Sequence, residues 1–423
     1  MSDLPQSRFG RLARLAALGV KTGASALVGR DAPRAAADEA ARVLGNLRGL
    51  AAKIGQMGSY VDGLVPEGQR DAYEASLRVF RAQAPRSPAA AVRTLVENEL
   101  QGPIDRLFAE WHDEPIASAS IGQVDKARLP DGAEVAVKVQ HPGIREAVES
   151  DLSNASVLEA IVGTMGGRRF DSRTLFEVVR TRFREELDYA LEAERLATFA
   201  ALHAGDPTVR VPTLHRSHSS ASVLTTSFVH GASFEEALGA SEAEKRAFAE
   251  TMWRFVFKGN LVGGMFNADP HPGNYVFHDG GRVTFLDYGC IQVISEKHLP
   301  LARGLHRAGL ARDEAAFAAN VSAMIDAKPG ELERLGRQFS RRCFEPIFAS
   351  PFLVTRAYAA SLVDDFKAMT AVARKLPEDE FFTMPPEMLF MNRLQFGFYS
   401  VLARFDVEVD YAAVEREFVP AAG

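Results

Sequence analysis

The run Gln123-Val-Asp-Lys-Ala-Arg-Leu-Pro-Asp-Gly-Ala-Glu-Val-Ala-Val-Lys-Val-Gln140 holds two strand-like segments, Gln123 to Leu129 and Glu134 to Gln140, joined by Pro130-Asp131-Gly132. Pro presets a turn and Gly supplies the backbone freedom to close it, so the run reads as a hairpin that opens a small antiparallel sheet. Upstream, residues 31–110 are rich in Ala and Leu and read as helices broken at Asp62-Gly63, Val65-Pro66-Glu67-Gly68 and Pro85 to Pro88. Downstream, helical patterns cover 144–165 and 172–204, and a strand covers Ser222 to Val229. Helices dominate from Phe234 onward, apart from extended pieces around Tyr275 to Val276 and Val283 to Leu286.

A few strands followed by a mostly helical half predict an α+β chain with two lobes. A small antiparallel-sheet lobe packs against a larger helical lobe, an all-helical extension precedes both, and a ligand occupies the cleft. The corresponding segments are 1–30, 31–112, 113–230 and 231–423.

The chain has 423 residues, 47% hydrophobic, 25% charged and 9% aromatic, the balance of a folded globular protein rather than a disordered or fibrous one. A net charge of −6 argues against a general nucleic-acid binder. Only Cys290 and Cys343 are present, so a disulfide framework or cysteine-built zinc site is unsupported and a reducing cytoplasm is expected. No apolar stretch approaches the roughly 20 residues of a membrane-spanning helix.

Residues 4–30 contain no acidic residue before Arg30, while Arg8, Arg11, Arg14 and Lys21 recur around Phe9, Leu12, Ala16 and Val20. This basic amphipathic pattern suits a solvated surface helix, or peripheral contact with the inner face of a membrane.

The sharpest chemistry lies in Asp269-Pro-His-Pro-Gly-Asn274 and Phe285-Leu-Asp-Tyr-Gly289. Phosphoryl transfer needs a carboxylate beside the incoming hydroxyl and oxygen ligands for divalent ions that bridge the phosphates. Asp269 and Asn274 have the five-residue offset of a kinase catalytic loop, and Asp287 follows on a strand and turn where a carboxylate meets Mg²⁺. Asp-Pro and Pro-Gly-Asn are also common turn chemistry, and it is the ordered combination that is specific.

Lys138 sits in an apolar strand, where an ammonium must snorkel or meet an anion, and nucleotide phosphate is the natural one here. Ahead of it Ala117-Ser118-Ala119-Ser120 offers small residues that let backbone approach a phosphate, although the GxGxxG spacing is missing. Glu186, Asp188 and Glu192 are expected on one helix. Asp188 and Glu192, four apart, share a face from which Glu186 points away, and Glu192 is the first choice to steady Lys138, with Asp188 second.

Together these stretches, with Lys53-Ile-Gly-Gln56, Val135 to Gly143 and Ala268 to Asn274, resemble the AarF/UbiB family of atypical protein-kinase-like proteins. The resemblance implies a kinase-like fold whose helical extension carries Lys53 and Gln56 over the nucleotide, with Lys53 looking toward Glu186. It implies ATP and Mg²⁺ as cofactors, Lys138 on phosphates and paired with Glu192, Asp269 as base or water-positioning residue, and Asn274 with Asp287 as metal ligands. It also implies an ATPase or kinase linked to ubiquinone or other isoprenoid-lipid metabolism, with a small-molecule or lipid substrate such as a quinone precursor. A nucleotide-binding pseudokinase scaffold and a small-molecule phosphotransferase are the alternatives, and a homodimer is compatible with either.

Two departures stand out: Ser118 and Ser120 interrupt the family's alanine run, and Thr226-Ser227 stand where relatives often carry Met-Glu. Leu394, Phe398, Leu402 and Phe405 have helical spacing and read as core rather than a lipid site.

Overall fold

The computed structural model describes residues 86–119, 121–152, 180–326, 328–373, 375 and 386–419. The basic segment 1–30, Lys53, Gln56 and Ser120 lie outside the described residues. The described strands are β1 (Glu110–Trp111), β2 (Ala117–Ser118), β3 (Gly122–Arg128), β4 (Glu134–Gln140), β5 (Val209–Arg210), β6 (Val223–Ser227), β7 (Met265–Asn267), β8 (Tyr275–His278), β9 (Arg282–Phe285), β10 (Ile291–Val293), β11 (Phe352–Leu353) and β12 (Glu408–Val409). The chain divides into two compact units. The first holds residues 86–152 and Arg216–Thr225, and the second holds 180–215 and 226–419.

In the first unit β3 and β4 pair antiparallel from Gly122↔Gln140 to Arg128↔Glu134. The turn closes as the sequence predicts: Gly132 takes φ +89°, a conformation that favours glycine, and Ala133 N–H donates to Asp131 Oδ1 at 3.0 Å. Alternation then sorts the faces. Val135, Val137, Val139 and Ala127 turn inward onto Val92, Val96, Ile104 and Phe108, while Lys138 and Lys126 stand on the other, half-buried face. The sheet runs β1-β3-β4-β6, with β2 also on β3. β1 and β2 are short strands that the reading of broken helices over 31–110 and of an alanine-rich loop at Ala117-Ser118 did not include. Two-residue strands are too short to show a period and exist because β3 offers them an edge.

The second unit is built on the Glu242–Leu261 helix, started by a capping box between Ser241 and Glu244. Trp253, Met252, Phe255 and Phe248 of that helix bury against Phe277, Phe285, Phe398 and Phe405. Leu394, Phe398, Leu402 and Phe405 are all buried, the core role their spacing suggests. β5, β9 and β8 form one small sheet, and β7 and β10 another. One helix was expected over 172–204, but helix covers 180–186 and a second begins at Tyr189. Asp188 caps the second, its Oδ1 accepting Leu191 N–H at 3.0 Å, so the four-residue spacing to Glu192 does not describe one uninterrupted helical face. Among the described residues no helix is long and apolar enough to cross a membrane.

Candidate active site

In the first unit Ala117 pairs with Val124 and Val124 with Lys138, which places Ala117, Val124 and Lys138 in one row across three strands. Ser118 pairs with Gln123, one position along and therefore on the opposite face. The tip beyond β2 is tight, with Ala119 N–H donating to Gly122 O at 2.7 Å. His141, which sequence reasoning missed, anchors this tip from beneath. It is 2% exposed, its Nε2 lies 3.0 Å from Ala119 O, and its Nδ1 lies 2.8 Å from Ser87 Oγ. Gln123 links the same support to Asp125, donating to its Oδ1 at 3.0 Å. Asp125 is fully buried, and burial pushes its carboxyl up to about 6 against the opposing pull of the Gln123 amide.

In the second unit β7 leads into the carboxylate loop and β10 runs back beside it, with Ile291 opposite Asn267 and Ala268 N–H donating to Cys290 O at 2.8 Å. The loop then folds on itself: Asp269 O accepts His271 N–H at 2.7 Å, and His271 O accepts Asn274 N–H at 2.9 Å. A short 3₁₀ turn over Pro272–Asn274 delivers the chain into β8, and Leu286 N–H donates to Asn274 O at 3.0 Å as β9 ends. That bond brings Asn274 beside the residue preceding Asp287.

Asn267 ties the parts together. Its Nδ2 donates to Asp287 O at 2.6 Å, and its Oδ1 accepts Asp269 N–H at 2.9 Å. Asn274 Nδ2 donates to Asp269 O at 3.2 Å, which orients the amide and turns its oxygen to the other side. Asp287 Oδ1 accepts Gly289 N–H at 2.8 Å. Tyr288 is buried and donates to Phe285 O at 3.0 Å; burial raises its phenol far above the ordinary range, so it locks the turn as a neutral donor.

Glu192 is 3% exposed, and it also borders this turn. A Cβ built on Gly289 would meet Asp287 Oδ1 at 3.3 Å and Glu192 Oε2 at 3.4 Å. Arg195, three residues further along the same helix, donates to Gly289 O at 3.0 Å and to Glu185 Oε2 at 2.8 Å. Arg182 also donates to Glu185 Oε2 at 2.7 Å and to Ile291 O at 2.9 Å, and its other nitrogen meets Gln292 Oε1. Sequence reasoning missed Arg182, Arg195 and Asn267, because nothing in their local pattern marks them.

Of the expected site residues, the second unit thus gathers Asp269, Asn274, Asp287 and Glu192 around one loop and one turn. Asp188 caps the helix carrying Glu192, and half-buried Glu186 ends the preceding helix. Lys138 and Ala117 to Ala119 belong to the first unit. Cys290, just past this turn, is buried.

A carboxylate and an amide oxygen on adjoining backbone suit Mg²⁺, a hard ion that takes few protein oxygens and completes its octahedron with water and phosphate. Among the described residues no cluster of three or more His, Cys, Asp or Glu forms a protein cage for a metal. A donor set of one carboxylate and one amide oxygen leaves coordination positions of such an ion for water or ligand oxygens.

A family model described as the ABC1 atypical kinase-like domain matches residues 79–320. The atypical kinase COQ8, mitochondrial, of Saccharomyces cerevisiae is 29% identical over 268 residues, covering 63% of this chain and 53% of the yeast protein. An uncharacterized protein of Mycobacterium tuberculosis is 34% identical over 266 residues, 60% of this chain and 54% of that one. The Arabidopsis thaliana chloroplastic protein named activity of bc1 complex kinase 8 is 32% identical over 251 residues, 57% of this chain and 32% of the plant protein. The chain thus spans about half or less of the length of these relatives. Among solved structures, a complex of Rv3197 with erythromycin from Mycobacterium tuberculosis aligns with a TM-score of 0.61 and 25% identity, covering 89% of this chain and 94% of that one. The kinase-like α+β fold, the Asp269 to Asn274 loop and the family model agree, and the chain belongs to the ABC1 atypical kinase-like family.

Proposed function

We propose that the protein is an Mg-dependent ATP-binding enzyme, an ATPase or small-molecule phosphotransferase, that supports isoprenoid-quinone or lipid metabolism at a membrane surface. The observation that carries the reading is the pair of hydrogen bonds made by the Asn267 amide, which ties the backbone of Asp269 to that of Asp287. A transfer reaction that depends on positioning and charge rather than covalent catalysis needs such a rigid frame.

In this reading Asn274 and Asp287 would hold Mg²⁺, which would supply positive charge to offset that of a phosphorylated ligand. Asp269 orients the attacking hydroxyl or water and accepts its proton. Lys138 supplies the ammonium for a phosphate, and the tight tip at Ala119 lets backbone approach it. Glu192 and Asp188 shape the acidic surroundings, with Asp188 acting through the helix it caps. The kinase-like relatives support the class of chemistry, and the basic segment 1–30 supports a peripheral membrane setting.

The test is nucleotide binding and turnover in the full chain. Mg-ATP at 100 times its dissociation constant adds about 2.7 kcal/mol to stability. Asp287→Asn is expected to remove the Mg-dependent part of that stabilisation. Turnover, measured with and without anionic liposomes and phenolic quinone precursors, is expected to vanish in Asp269→Asn while binding persists. Binding without turnover in the wild type would replace the enzyme with a scaffold, and Mg-independent binding equal in Asp287→Asn would remove the metal assignment.

A further inference from the structure

Among the described residues, the second unit forms a partly open apolar cavity of about 170 Å³, lined mostly by its helices. Protein cores rarely leave a void larger than a water molecule, and an apolar void of about 150 Å³ takes up a benzene-sized guest. The wall combines aromatic rings such as Trp253, Phe257 and Phe398 with the soft side chains of Met324, Met369 and Met391, which adapt to differing shapes.

The polar groups of the wall are nearly all consumed by protein partners. Trp253 Nε1 donates to Glu415 Oε1 at 3.0 Å, and His306 Nδ1 lies 2.7 Å from Glu415 Oε2. The Tyr399 hydroxyl and the Gln395 amide both donate to Cys343 O, at 2.9 and 3.2 Å. Asn260 is different. It is 3% exposed, it lines the cavity, and its side-chain oxygen has no hydrogen-bond partner among the described residues. A buried amide oxygen left in this state calls for a donor, and an apolar wall calls for hydrocarbon.

We propose that this cavity binds a small apolar molecule bearing one hydroxyl group, its hydroxyl bonded to Asn260 and its hydrocarbon part against Trp253, Phe257 and Phe398. A hydroxyl both donates and accepts, so it is complementary to a side-chain amide in either orientation. None of Asp269, Asn274 and Asp287 lines the cavity, so this site is additional to the one proposed for phosphoryl chemistry. It adjoins that site along the chain: Phe266 contributes to the wall, and the next residue of β7 is Asn267.

Trp253 is one of two tryptophans, so Trp111→Phe in the full chain leaves a single fluorophore on the cavity wall. We would titrate that protein with 6-bromo-1-hexanol and with 1-bromohexane, whose bromine quenches a tryptophan in contact. The expected result is saturable quenching by both, with the alcohol about tenfold tighter, the factor of one buried hydrogen bond. Asn260→Leu is expected to abolish that preference while retaining quenching, and Ala302→Phe, which fills the cavity, to abolish saturable quenching by both. Ser340→Phe fills it from another helix and replaces Ala302→Phe if that variant does not melt cooperatively. Non-saturable quenching in the parent protein, equal affinity for the two probes, or an alcohol preference that survives Asn260→Leu would each overturn the proposal.

Discussion

Gly397 lies so close to Pro270 that a Cβ at position 397 would come within 2.7 Å of the proline Cγ. Glycine inside a helix costs about 1 kcal/mol relative to alanine, yet it stands within the Pro386–Leu402 helix. Its return is a flat surface on which the residue after Asp269 rests. Gly397→Ala is therefore expected to gain helix propensity and push Pro270 away, with nucleotide turnover falling about tenfold, about 1.4 kcal/mol of barrier, in a chain that still melts cooperatively. Parallel turnover and melting measurements check this; higher stability with wild-type turnover would show that the loop yields without consequence.

Asn267 bonds the backbones of both Asp269 and Asp287, and it does so as donor and acceptor at once. Alanine removes both bonds, and ionised aspartate keeps an acceptor but presents an oxygen to Asp287 O where a donor stood. Both substitutions are expected to cost about 2 kcal/mol in urea unfolding and to weaken Mg-dependent nucleotide binding. Stability equal to wild type in either variant would show that the loop and the turn are held by other contacts.

Asp125 gives stability a pH dependence of definite sign. Its folded-state value of about 6 lies above the ordinary 3.8, so between those values the folded chain keeps a proton that the unfolded chain releases. The stability this contributes is complete below about pH 4 and is lost as pH rises through 6. Asp125→Asn stays neutral throughout, and its unfolding free energy is expected to exceed wild type by an amount that grows from pH 4 to 7, reaching about 3 kcal/mol. Melting curves of the two proteins across that range check it, and curves that stay parallel would contradict it.

His203 acts in the opposite direction. It is 4% exposed, stacks on Phe199 and Phe255, and neither ring nitrogen has a hydrogen-bond partner among the described residues. Burial, with help from the Lys258 ammonium, lowers its pKa to about 4, while Asp206 pulls weakly the other way. The unfolded chain takes up the proton near 6.5 and the folded chain does not, so stability falls as pH drops from about 6.5 toward 4. His203→Phe is expected to flatten that part of the profile and to raise stability at neutral pH, because two buried polar atoms without partners disappear. Acid sensitivity identical to wild type would place its cause elsewhere.

Elements with a repeating signal were legible in the chain itself. Val135, Val137 and Val139 alternate, and Pro130-Asp131-Gly132 closes the turn, so the hairpin followed from local chemistry. Asp269, Asn274 and Asp287 stood out by residue type and spacing, and the fold sets them around one loop and one turn. Asp188 shows the limit of periodicity. Its distance from Glu192 suggested a shared helical face, whereas its short carboxylate competes for backbone N–H groups and starts a new helix instead.

Composition, period and spacing thus determined the α+β class, the hairpin carrying Lys138 and the oxygen donors of the loop, because each of these depends on residues near one another in the chain. Tertiary structure alone decided that Asn267 bridges two backbones, that Arg195 reaches Gly289, that Gly397 supports Pro270 and that Asn260 borders a cavity. Those relationships depend on packing between segments tens to more than a hundred residues apart, and a side chain carries no local mark of the distant backbone it will meet.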